Sequence, residues 1–217
     1  MANNILVFLE QRNKQIKKSS FEAVKAASDI AAKIGFELFA VVIGDEINNI
    51  EDVGNYGILK VTHIKNSQLH NYSTSAYTDL LASHIKDIDA DIIFLSNTSL
   101  GKDLAPHLCV RLDCGISTDC ISLNIVNGEI IAQRPIYAGK ALIDVKITSP
   151  KKIFTLRPNV FSTGVPSGTK SEVTIVNTES INLASKVTEI KKSDGKIDVA
   201  EADIIVAGGR GMKGPEH

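Results

Sequence analysis

The chain has 217 residues, 43% hydrophobic and 23% charged, which supplies enough apolar material for a sizeable folded core. Its 24 lysines and arginines nearly balance 25 aspartates and glutamates, and a net charge of −1 excludes a general pull toward nucleic acid or anionic membrane. The start, Met1-Ala2-Asn3-Asn4, has no basic leader, no run approaches the roughly 20 apolar residues of a membrane span, and three cysteines do not suit a disulfide framework, so a cytoplasmic protein without membrane insertion is expected.

Asn4 to Glu10 is a continuous β-rich apolar run, as for a strand buried on both faces of a parallel sheet. The following loop carries Arg12, Lys14, Lys17 and Lys18, which reads as a solvated turn before it reads as a phosphate site. Ser19 and Ser20 are N-cap candidates for a helix to Ile34, with Phe21, Val24, Ala27, Ala31 and Ile34 inward and Gly35 as its stop. Phe36 to Ile43 is a second strand. Asp45 to Gly57 is mixed, with a short helix around Ile47 to Val53, and Leu59 to Ile64 is a third strand. Tyr77, Leu80, Leu81, His84, Ile85 and Ile88 share one helix face, and Asp91 to Leu95 is a fourth strand. Asn97-Thr98-Ser99 then opens a helix that turns Leu100, Leu104, Ala105, Leu108, Cys109 and Leu112 inward.

That alternation implies a mostly parallel, open α/β sheet of the Rossmann-like, adenine-nucleotide-hydrolase-like type. From Ile116 the rhythm changes. Cys120 to Val126, Asn127-Gly128 and Glu129 to Pro135 spell a β-hairpin with a type I′ turn, and Ala141 to Thr148 and Lys152 to Arg157 continue as strands. The expected organisation is an N-terminal domain over 1–190, with a parallel core over about 1–115 and an attached antiparallel sheet over about 116–190, in which Val173 to Val176 and Val187 to Ile190 are edge strands. Residues 191–201 read as a linker, and Ala202 to Ala207 as a fresh buried strand running into Gly208-Gly209-Arg210-Gly211.

Two stretches invite a ligand. Glycines after a strand let backbone amides approach a phosphate, and Arg210 adds a charged fork, although a tight turn needs the same residues. Ser96 to Asp103 lies at the carboxyl end of the fourth strand, where open α/β sheets bind ligands. Its hydroxyls and Lys102 could hold an anion, but helix capping by Thr98 or Ser99 is the simpler reading, and the spacing is not that of a P-loop. Cys109, Cys114 and Cys120 have no metal-site spacing, Cys109 and His84 fall on apolar helix faces, and nothing nominates a catalytic residue or a metal ligand.

Gly101-Lys102-Asp103-Leu104-Ala105-Pro106-His107-Leu108 resembles a helix start of electron-transfer flavoprotein alpha subunits. Arg134-Pro135-Ile136-Tyr137-Ala138-Gly139-Lys140-Ala141, Phe154-Thr155-Leu156-Arg157-Pro158 and Val206 to Lys213 resemble three further stretches of that family, in the same order. The resemblance implies one subunit of a heterodimeric carrier, itself no enzyme, that takes electrons from flavin dehydrogenases of the acyl-CoA dehydrogenase type and passes them to a downstream acceptor through FAD. It implies a beta subunit as partner, a scaffold role for the first domain, and an AMP site that is filled in beta but empty in alpha. Of the family's flavin contacts only Arg210 maps here, so residues 202–217 read as the start of an incomplete FAD-binding domain and FAD is expected to be absent from this piece. The tail departs from the family pattern at Gly214-Pro215. A small-nucleotide sensor module of the universal-stress type, using the Ser96–Asp103 loop, is the alternative.

Overall fold

The structure is a computed structural model that describes residues 3–179, 181–184, 187–189, 202 and 204–214. By compactness the chain divides after Val187 into a unit of residues 1–187 and a second of residues 188–217.

The first unit is built on a strand buried from both sides. In β1 (Asn4–Leu9), Ile5, Val7 and Leu9 enter one core cluster while Leu6 and Phe8 enter another on the opposite face. A small antiparallel ribbon, β2 (Gln11–Arg12) with β3 (Gln15–Ile16), leads into α1 (Lys18–Ile34). Gly35 stops this helix in the left-handed conformation (φ 73°) and donates its N–H to the Ala31 carbonyl at 2.8 Å. Ser19 and Ser20 lie inside the helix and make no cap; Lys17 occupies that position. The buried Ser20 hydroxyl instead accepts from the Glu10 N–H at 2.8 Å, satisfying the backbone where β1 ends.

The chain continues through β4 (Glu37–Gly44), a 3-10 turn over Ile50–Tyr56, β5 (Lys60–Lys65), α2 (Thr74–Asp87), β6 (Ala90–Ser96) and α3 (Ser99–Leu112). There follow β7 (Gly115–Cys120), β8 (Ser122–Val126), β9 (Glu129–Ile136), β10 (Ala141–Lys146), β11 (Lys152–Leu156) and β12 (Glu172–Asn177). Seven strands form one parallel sheet in the order β12-β5-β4-β1-β6-β11-β7, and β10-β9-β8 form a separate antiparallel sheet. Helix α1 and the inner face of the small sheet (Ile130, Ala132) cover one side of the parallel sheet; α2 and α3 cover the other. The α/β class is therefore as expected, and so is the hairpin: Asn127 (φ 52°) and Gly128 (φ 79°) make its two-residue turn.

The placement of the later strands differs from expectation. Gly115–Cys120, Lys152–Leu156 and Glu172–Asn177 are not part of an antiparallel sheet; they complete the parallel one, with β11 slotted between β6 and β7 and β12 on the edge beside β5. The reason is burial on both faces: Ile153 and Phe154, both fully buried, point into opposite core clusters, and Phe154 stacks on Phe94 with ring centroids 5.5 Å apart. Ser149 makes the return possible. Its hydroxyl accepts from the Gly115 N–H and donates to the Lys151 carbonyl, both at 2.7 Å, tying the break in the chain to the start of β7.

In the second unit, the buried strand expected over Ala202 to Ala207 is not formed by the described residues: Ile204, Ile205 and Val206 are 85%, 58% and 94% exposed. A strand needs paired N–H and C=O groups, and among the described residues none pairs with this segment. The segment ends in a single 3-10 turn, Arg210–Met212. The linker expected over 191–201 lies outside the described residues, as does Ile190 of the edge strand proposed at Val187 to Ile190; Val187 itself is not in a strand.

Candidate functional site

The sheet has one topological switch point. From β1 the chain moves outward to β4 and β5, then returns to β6 on the other side of β1, so the crevice at the carboxyl ends of β1 and β6 is where this architecture receives a ligand. Glu10, the residue after β1, is only 7% exposed there. Its carboxylate accepts from the Thr98 hydroxyl and lies 3.4 Å from the Lys17 ammonium. Thr98 in turn accepts from the Gly101 N–H at 3.1 Å, capping α3. One hydroxyl thus links a carboxylate to a helix start, and the chain supplies its own anion where a phosphate would sit.

Gly101 closes this arrangement sterically. A Cβ built on it would lie 1.8 Å from the Ser96 carbonyl oxygen, so only glycine lets α3 begin directly on the end of β6. Beside it, Asn97 joins a second network. Its side chain donates to Asp119 at 2.9 Å and accepts from the Thr155 hydroxyl at 2.9 Å, while Thr155 accepts from the Asp119 N–H at 3.0 Å. Arg157 closes a two-pronged pair on Asp119, with bonds of 2.9 and 2.6 Å. The Arg157 hydrogen bonds hold the Asp119 carboxyl below the usual carboxylate range despite partial burial. Asp119 is in the left-handed region (φ 62°), at a register irregularity where β7 meets β11. Asn97, Asp119, Thr155 and Arg157 thus satisfy one another, whereas the buried Ser96 Oγ beside them has no hydrogen-bond partner among the described residues.

The Ser96–Asp103 loop is thus a capped helix start, with Thr98 as the cap. Asp103 turns away from the crevice and accepts from Tyr72 at 2.6 Å and Thr74 at 2.7 Å, which ties α3 to α2. The basic loop is neutralised locally: Lys14 pairs with Glu46 at 2.6 Å and Lys17 with Glu10. Arg210 stands at the start of the exposed 3-10 turn of the second unit. His84, on the apolar helix face read from the sequence, is half-buried, and its Nε2 has no hydrogen-bond partner among the described residues. Burial depresses its pKa, and that of His63, whose Nε2 lies 3.3 Å from the Gly44 carbonyl. Among the described residues no cluster of His, Cys, Asp or Glu could hold a metal ion. No helix among them is long and apolar enough to cross a membrane. Sequence reasoning missed Glu10, Asp119 and Arg157. For Glu10 a signal existed: an acidic residue directly after a fully apolar first strand, where a phosphate-binding sheet places glycine.

Residues 5–181 match the electron transfer flavoprotein domain family. The chain is 33% identical to "Protein FixB" of Clostridium saccharobutylicum, over 98% of this chain and 66% of that protein. It is 31% identical to "Electron transfer flavoprotein subunit alpha" of Bacillus subtilis, over 100% of this chain and 67% of that protein. A more distant relative, at 28%, is "Lactate dehydrogenase (NAD(+),ferredoxin) subunit LctC" of Acetobacterium woodii, matched over 96% of this chain and 51% of that protein. The chain thus spans about two thirds of the length of the two more similar proteins. With a doubly covered parallel sheet, a small antiparallel sheet and these relatives along its whole length, the chain belongs to the electron transfer flavoprotein family and corresponds to the N-terminal domain of its alpha subunits.

Proposed function

We propose that this chain is the scaffold and partner-binding part of a heterodimeric electron carrier, a cytoplasmic protein that performs no catalysis of its own. In this reading the whole protein accepts electrons from flavin dehydrogenases, of the acyl-CoA dehydrogenase type, and delivers them to a downstream acceptor. The observation that carries the scaffold role is the filled switch point: Glu10, Thr98 and Lys17 satisfy one another where a nucleotide-binding relative would hold phosphate. That arrangement disfavours the nucleotide-sensor alternative.

FAD, when bound, supplies the electron-carrying centre. Arg210 offers it a guanidinium flanked by glycines, and a Cβ at Gly209 or Gly211 would meet no atom within 4 Å, so local packing does not demand glycine at either position. Close approach of a phosphate to the backbone gives those glycines a purpose. Arg210 is the one contact in these residues that we assign to the flavin.

The test is made on residues 1–217 as a purified protein. Mixed with FAD and desalted, it is expected to retain no visible flavin absorption; near-stoichiometric flavin would refute the assignment of Arg210 as a lone contact. Mixed with a beta subunit of the same family, it is expected to co-elute as a one-to-one complex. Elution apart, together with heat released on titrating AMP or ATP, would favour the sensor reading.

A further inference from the structure

The last turn of α3 places two thiols on one side of a reversal in the chain. Asp113 adopts the left-handed conformation (φ 49°), and the two hydrogen bonds of a Schellman cap form around it. The Cys114 N–H donates to the Cys109 carbonyl at 3.1 Å, and the Asp113 N–H donates to that of Val110 at 3.3 Å. In this motif the residue just past the helix packs on the side chain five positions earlier, a place apolar residues ordinarily fill. Here both are cysteines. The Cys109 thiol also donates back to the Cys114 carbonyl at 2.7 Å. Bond lengths on either side of the 3.1 Å hydrogen bond limit the Cα–Cα separation to roughly 7 Å, the outer limit for a disulfide. Both residues are half-buried and both thiols are free.

We propose that Cys109 and Cys114 form a vicinal dithiol, a redox modification site that closes into an intrachain disulfide and staples the end of α3 to the start of β7. The oxidant is a low-molecular-weight disulfide. The Cys109 thiolate attacks one sulfur of the reagent, forming a mixed disulfide and expelling the first reagent thiol. The Cys114 thiolate then attacks the Cys109 sulfur, the mixed disulfide breaks, and the second reagent thiol leaves. Two cysteine thiols are oxidised, one reagent disulfide is reduced to two thiols, and the two cysteine protons end on them. While both thiols are free, burial, followed by the neighbouring Cys109, pushes the Cys114 thiol up to about 12. Once Cys109 is capped as a mixed disulfide its contribution to that shift disappears, and the capped state itself favours closure. The third thiol takes no part. Cys120 ends β7, about 3.3 Å per residue further on, and is fully buried. The inference is independent of the electron-carrier reading.

The test uses the native protein with oxidised glutathione, followed by denaturation, thiol counting and peptide mass analysis. Accessible thiols are expected to fall from three to one, with Cys109 linked to Cys114 and two hydrogens lost. Cys120→Ser is expected to close the same bridge, and Cys114→Ser to stop at a stable glutathione adduct on Cys109. Three thiols remaining, an adduct that persists in the unsubstituted protein, or a bridge that includes Cys120 would each overturn the proposal. Where Cys114→Ser is unstable, phenylarsine oxide gives a second reading: one arsenic should block two thiols in the folded protein, and blocking of none would count against it.

Discussion

Replacing Gly101 with alanine tests whether the closed switch point rests on direct contact between α3 and β6. The added Cβ would meet the Ser96 carbonyl oxygen at 1.8 Å and its carbon at 3.0 Å, both backbone atoms with no flexible end to yield. To reach even a tight contact, α3 and the end of β6 must separate by more than about an ångström. A shift of that size breaks the Thr98 cap, worth about 1 kcal/mol, and the Thr98–Glu10 bond, which as a partly buried charge-assisted contact is worth about 1.5–3 kcal/mol. Alanine's better helix propensity returns about 1 kcal/mol. The net expectation is a loss of about 1.5–3 kcal/mol, which for a chain of this size lowers Tm by roughly 3–12 °C. Thermal and urea unfolding followed by circular dichroism measure it. Gly128→Ala is the comparison: its φ of +79° is unfavourable for alanine, yet no atom lies within 4 Å, so only about 1–2 kcal/mol of backbone cost is expected. A Gly101→Ala protein as stable as the parent would refute the close-contact argument.

Two pH dependences follow from the buried and paired groups. His84 has its pKa lowered by burial, so its stabilising contribution is complete above the unfolded value of about 6.5 and is lost as pH falls below that toward the lowered folded value. His84→Leu, which also removes a buried nitrogen with no hydrogen-bond partner among the described residues, is expected to flatten the fall in Tm between about pH 7.5 and 5.5, and an unchanged slope would contradict it. Asp119 has its pKa lowered chiefly by the Arg157 hydrogen bonds, so its contribution is present above about 3.9 and lost as pH falls below that. Asp119→Asn is expected to be less stable than the parent at pH 6 and to converge with it toward pH 3; parallel curves would show that the ion pair contributes nothing.

The central elements were legible because each follows from local pattern. The unbroken run Ile5 to Leu9 has no polar face and so announces a strand covered on both sides, and Gly35 and Asn127-Gly128 mark their turns by the left-handed backbone they allow. What was not legible depends on partners distant in sequence. Lys152–Leu156 follows the hairpin closely, and nothing local says that its neighbours are β6 and β7 instead of β10. The helix start at Lys18 defeated the capping rule because the buried Ser20 is engaged with the Glu10 backbone, a contact ten residues back. At the switch point the loop was read correctly as a cap. The plug was missed because Glu10 acquires its role only when β1 and β6 lie side by side.

The strand order also bears on how the chain is made. Residues 4–96 supply β1, β4, β5 and β6, a contiguous four-stranded parallel core, before any of the rest has been synthesised. Both flanks of that core then wait: the free side of β6 for β11, which begins at Lys152, and the free side of β5 for β12, which begins at Glu172. At about 5–20 residues per second, the β6 flank stays unpaired for several seconds after its strand leaves the ribosome. Such an edge, apolar along Ile92 to Leu95, is a template for pairing with another nascent chain. The small hairpin sheet, whose strands pair locally between residues 122 and 146, forms within that interval and can shelter one face of the waiting core, but not its edge.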